Sequence, residues 1–168
     1  INEDKYFLST CAGGIFVDAS YRTHSELKKN FGPFAYYLKA LTELKSIKPF
    51  KLKIKTDTDN IDEKVLLFVI LNGKHAAGFP NFSNDADFSD GMMDIVMIKN
   101  CLHIDLAGLF LKVLSNSSLK DKNVTTLKTS SCVIEGSSDI ALSVDGEKGP
   151  NLPINVRFIN KALNVFVK

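Results

Sequence analysis

Two groups of acidic residues have types and spacings that could do chemistry. The first lies in NFSNDADFSDGMMD, where Asp85, Asp87, Asp90 and Asp94 recur in a polar stretch that also holds Gly91. Clustered carboxylates suggest a cation. An EF-hand needs glycine at the sixth loop position and glutamate at the twelfth. Counted from Asp85, those positions hold Asp90 and Val96, so that motif fails. A looser site, built from one Asp side chain and backbone carbonyls, stays open beside the plainer reading of a polar turn. The second group is Asp145-Gly146-Glu147, which follows the alternating IALSV of residues 140–144. A carboxylate at a rigid strand end can be aimed as a general base, and glycine lets a substrate approach. Glu147 would face the same side as Asp145 if the strand continued. A D-G dipeptide equally marks a tight turn between strands.

Other chemistries find little support. His24, His75 and His103 are scattered and make no metal pair. The chain has no G-x-S-x-G elbow, and no G-x-x-x-x-G-K-[ST] loop to cradle phosphates. Cys11, Cys101 and Cys132 lack metal-type spacing, and their odd number points to reduced thiols in a cytosolic protein. A formal net charge of +2 argues against a broad nucleic-acid footprint. Lys28, Lys29, Lys39, Lys45, Lys48, Lys51, Lys53 and Lys55 make one stretch locally basic. It reads first as a solvated face and second as a surface for anionic lipid.

The elements that must position these residues are mostly strands. The 168 residues suit one domain with a sizeable core. Residues 6–19 read as a strand or hairpin, interrupted at Gly13-Gly14 by a bulge or a close backbone approach. Residues 21–48 read as two helices, the first opened by a Thr23/Glu26 capping box. FKLKIKT alternates apolar residues with lysines, which predicts one buried and one wet face. KVLLFVILNG is a nearly continuous apolar run, expected to be buried on both faces. A loop over 73–90, the strand MMDIVMI and a helix over 104–114 follow. Short strands at 124–128, 131–135, 139–144 and 154–166 complete the chain, the last stretch read as two strands with a turn near Asn160. The pattern predicts a mainly β fold: a two-layer antiparallel β-sandwich with two or three short helices. No apolar run approaches the ~20 residues of a membrane helix, and the chain, starting at Ile1, reads like a piece of something longer.

The order LKKNFGPFAYYLKAL, LLFVILNGKHAAGF, DADFSDGMMDIVMI, LSVDGE resembles the C-terminal domain of the bacterial diacylglycerol kinase-like lipid kinases, relatives of the sphingosine and ceramide kinases. The resemblance runs from Tyr6 to Val167, so residues 1–168 are expected to form one lipid-binding β-sandwich domain. It implies a separate N-terminal domain that binds ATP and catalytic Mg²⁺ through a Gly-Gly-Asp-Gly-Thr motif, which this sequence lacks. It implies Asp145 as the general base for a lipid hydroxyl, with Glu147 beside it and Lys39 helping to organise the region. It further implies a structural Mg²⁺ held by the Asp90 side chain and the carbonyls of Asp87 and Met92. One departure is Asn84, where a proline commonly stands six residues before the D-G aspartate. The implied partners are a lipid alcohol and the inner membrane surface, met peripherally from the cytoplasm, with a homodimer left open. Alone, the domain is expected to phosphorylate nothing. The alternatives are a non-catalytic lipid or small-molecule binder and a dimerising β-sandwich.

Overall fold

The computed structural model describes residues 1–15, 17, 48–74, 83, 86–87, 89–115, 117 and 119–163. Nine strands and one helix are assigned among them. They run β1 (Thr10–Gly14), β2 (Phe50–Lys55), β3 (Asn60–Leu71), β4 (Met93–Lys99), α1 (His103–Leu114), β5 (Val124–Thr129), β6 (Ser131–Gly136), β7 (Leu142–Val144), β8 (Glu147–Lys148) and β9 (Ile154–Arg157). All pairings are antiparallel, in the order β8-β7-β1-β3-β2-β6-β9, with β4 and β5 branching from β3. The sheet curls into a β-sandwich-like fold, as the alternation of short strands predicts.

The core explains the curl. β2 buries Leu52 and Ile54 and exposes Lys51, Lys53 and Lys55, so its lysines form a wet outer face. Leu52, Ile54, Phe68, Ile70, Ile95, Ile134 and Ile154 fill the interior between the two halves of the sheet. β3 from Val65 onward and β4 are buried on both faces. Their alternate residues Leu67, Val69, Leu71, Val96 and Ile98 pack outward beneath Leu106 and Leu109 of α1. The continuous apolar run in β3 is therefore what a central strand covered by a helix requires. Lys112 of α1 is tied to Asp121 at 2.7 Å, which anchors the helix end to the turn that follows.

Gly13 and Gly14 mark a close approach. A Cβ on Gly13 would lie 2.5 Å from the Phe68 ring and 2.6 Å from Leu142, and Gly14 has φ 107°. Several boundaries differ from the sequence expectation. The strand expected over 139–144 is confined to Leu142–Val144, because Ile140 N–H closes a turn onto the Ser137 carbonyl. The stretch expected from 154 starts as a strand that ends at Arg157. The turn expected near Asn160 follows, and Lys161 in it has φ 54°, while residues 164–168 lie outside the described ones. The helices expected over 21–48, Lys39 and much of the 73–90 loop lie outside the described residues.

Candidate functional site

The strand carrying IALSV does not continue past Val144. Asp145 and Gly146, with φ 50° and 88°, form a two-residue hairpin that joins β7 to β8, and Val144 pairs with Glu147. Both central residues adopt the left-handed conformation that a type I′ turn demands. Aspartate tolerates it and glycine enters it at no steric cost. The expectation that Glu147 would share a continued strand with Asp145 is therefore not met. Glu147 is exposed on β8, across the hairpin from Val144.

Asp145 does more than make a turn. Its Oδ1 accepts the backbone N–H groups of Ser9 (2.9 Å) and Thr10 (2.8 Å), and its Oδ2 accepts that of Leu8 (2.6 Å). Its own N–H donates to the Thr10 carbonyl at 2.8 Å. A carboxylate offers about four lone-pair directions, so one remains beside Leu8, on Oδ2. From the other side Asn72, at the end of β3, binds the same segment. Its Nδ2 donates to the Leu8 carbonyl and its N–H to the Ser9 carbonyl, both at 2.9 Å. The Asn72 Oδ1 is buried with no hydrogen-bond partner. Residues 8–10 are thus clamped between the hairpin tip and the N-G turn after β3. The Leu8 and Tyr6 side chains stand out from the clamp, 63% and 74% exposed. Sequence reasoning passed over this segment, since contacts spanning 135–137 residues leave no local signal. The N-G dipeptide at Asn72 was the available hint.

The acidic loop leads into β4 at the same end of the sheet, where Asp94 lies opposite Leu71 and Leu71 opposite Thr10, and each described aspartate in it has a partner. Asp87 Oδ1 accepts the Ser89 hydroxyl (2.7 Å) and backbone N–H (2.8 Å). These bonds hold its carboxyl below the usual carboxylate range, with attraction from Lys128 and Lys74 adding to them. Asp90 Oδ1 accepts the Met92 N–H at 2.8 Å, while Oδ2 meets the Lys128 ammonium at 2.7 Å. Asp94 is buried on β4, where the Ser83 hydroxyl donates to it at 3.2 Å. Among the described residues no three His, Cys, Asp or Glu side chains converge on one metal position. Mg²⁺ needs no such cluster, since one carboxylate, carbonyls and water satisfy it. The partly exposed Asp90 carboxylate already engages one cation and is the right donor type, so the residues fit the implied ion.

Burial pushes the Cys11 thiol up to about 12, against a smaller opposing pull from the N-terminal ammonium. Burial likewise pushes the Cys132 thiol up to about 12. All three cysteines carry free thiols. No described helix is long and apolar enough to cross a membrane.

The β-sandwich-like domain is a fold shared with known proteins. Residues 12–167 match the family described as the YegS C-terminal NAD kinase beta sandwich-like domain, and the chain belongs to that family. It is 30% identical over 163 residues to a protein of Staphylococcus epidermidis named diacylglycerol kinase. It is 31% identical over the same length to one of Staphylococcus aureus with that name. Each alignment covers 97% of this chain and 52% of the relative, so the chain spans about half the length of these relatives. A solved Bacillus anthracis structure described as a diacylglycerol kinase superposes with a TM-score of 0.67 at 21% identity, covering 92% of this chain and 50% of that one. That likeness is one of fold.

Proposed function

We propose that this domain is the lipid-binding, base-bearing half of an ATP-dependent kinase for diacylglycerol or a similar lipid alcohol. The observation that carries the reading is the Asp145 carboxylate. It is fixed by three backbone donors at a hairpin tip, with one acceptor direction left on Oδ2. The exposed apolar side chains of Leu8 and Tyr6 lie at the clamp it forms. The names of the relatives supply the substrate class.

Phosphoryl transfer asks mainly for positioning and charge stabilisation. In the proposed step the substrate hydroxyl oxygen attacks the γ-phosphorus of ATP, its proton passes to Asp145 Oδ2, and ADP leaves. Proton acceptance of this kind contributes roughly 10²- to 10⁴-fold. ATP and catalytic Mg²⁺ are assigned to a part of the longer protein outside these residues. Glu147, exposed on β8 across the hairpin, is given no defined step. Leu8 and Tyr6 suit contact with acyl chains at a membrane surface, which makes the domain a peripheral, cytoplasmic one in this reading.

The three backbone donors also favour a second reading, in which Asp145 only fastens the hairpin to residues 8–10. The two separate in a lipid-phosphorylation assay on the longer protein, with labelled ATP and diacylglycerol vesicles. Asp145→Asn is expected to lose at least about a hundredfold in kcat while circular dichroism shows the fold retained and KM for ATP is unchanged. Full activity in a folded Asp145→Asn protein would leave only the fastening role.

A further inference from the structure

Lys128 reaches from β5 into the acidic loop. Its Nζ lies 2.7 Å from Asp90 Oδ2, and its position is registered directly opposite Asp94 on β4. Directly opposed residues of an antiparallel pair project to the same face, a few ångströms apart. The same ammonium also acts on Asp87. One lysine therefore stands among three carboxylate-bearing positions. The Asp90 and Lys128 side chains are 27% and 36% exposed, so water and ions reach the pair.

Asp90 Oδ1 accepts the Met92 N–H, which fixes the carboxylate plane, and Oδ2 is the oxygen that Lys128 holds, so a cation at either oxygen meets the charge of the lysine. We propose that Lys128 is a tethered counter-ion, competing with a divalent cation for Asp90 and giving way when Mg²⁺ binds. An ammonium is a compact charge on a flexible four-carbon stem. It can therefore swing clear without moving β5. Ammonium and Mg²⁺ held by one carboxylate repel each other, and more so in a partly desolvated site. Mg²⁺ binding therefore favours release of the lysine, and the loss of that ion pair weakens its binding. In return the loop keeps a neutralised Asp90 when Mg²⁺ is scarce. This role is independent of the lipid-kinase reading, since it concerns cation binding and loop stability alone.

The test is Mg²⁺ titration of the 168-residue chain by calorimetry, with Mn²⁺ as a paramagnetic probe of the same site. Lys128→Met is expected to bind Mg²⁺ at least about tenfold more tightly than wild type, and Lys128→Arg to remain near wild type. Adding Asp90→Asn to Lys128→Met should abolish the gain. In EDTA, Lys128→Met should melt below wild type, and Mg²⁺ should close the gap. Lys128→Gln serves as a second neutral variant if the methionine variant does not fold. Equal Mg²⁺ affinity in wild type and the neutral variants would overturn the proposal. So would a gain that survives Asp90→Asn, or an absence of Mg²⁺ binding in all of them.

Discussion

Replacing Asp145 tests how the hairpin is held, before any question of catalysis. Asp145→Ala removes an acceptor from the Leu8, Ser9 and Thr10 N–H groups together. A hydrogen bond to a charged group contributes about 1.5–3 kcal/mol when it is well buried. This carboxylate is exposed, and water replaces part of what is lost. Loss of a single side-chain cap at a helix N-terminus costs about 1 kcal/mol. Three donors of the same kind, discounted for exposure, give about 2 kcal/mol. At roughly 2–4 °C per kcal/mol for a domain of this size, Tm should fall by about 4–8 °C. Asp145→Asn keeps one acceptor oxygen and tolerates φ 50°, so it should fall between wild type and alanine. Asp145→Gly removes any backbone strain that alanine adds, so a loss shared by glycine and alanine reports the hydrogen bonds. Differential scanning calorimetry on the isolated chain gives the Tm, and hydrogen exchange at residues 8–10 locates the change. A Tm within about 1 °C of wild type in the alanine variant, with unchanged protection at those amides, would refute the clamp.

Gly13→Ala should destabilise the domain by about 1–3 kcal/mol, because its Cβ would press on Phe68 and Leu142; urea unfolding would measure it. Phe68→Ala, which empties the centre of the interior, should cost about 3–5 kcal/mol by the same method. The Cys11 and Cys132 thiols should resist a thiol reagent at neutral pH until the chain unfolds, as mass spectrometry of labelled peptides can show. Their folded pKa values lie above those of the unfolded chain, so the unfolded state releases protons first as pH rises. The contribution of these thiols to stability should therefore be constant below about pH 9 and decline from there towards about pH 12, by up to about 1.4 kcal/mol per pH unit for each thiol. Cys11→Ala should remove about half of that slope in denaturant titrations across alkaline pH.

Much of the sheet was readable along the chain. Alternation in FKLKIK placed Leu52 and Ile54 inward and the lysines outward, and β2 follows it. The unbroken apolar run of β3 signalled burial on both faces, because a strand between an interior and a covering helix has no wet side. The paired glycines at 13 and 14 announced a tight approach, although nothing local identified Phe68 and Leu142 as the neighbours. The D-G-E hairpin was legible as two alternatives, turn or strand end. The choice fell to the turn, because β8 was available to pair with β7 and two left-handed residues let the chain reverse.

Local physics, by itself, determined the strand faces, the turn chemistry and the acidic loop's affinity for positive charge, since side-chain period and backbone preference act over a few residues. Tertiary structure alone decided which groups meet. It brought the backbone of residues 8–10 to a carboxylate at position 145, and an ammonium at position 128 to a carboxylate at position 90. Such contacts are set by how the sheet curls and which strands become neighbours, and that depends on packing the whole core at once.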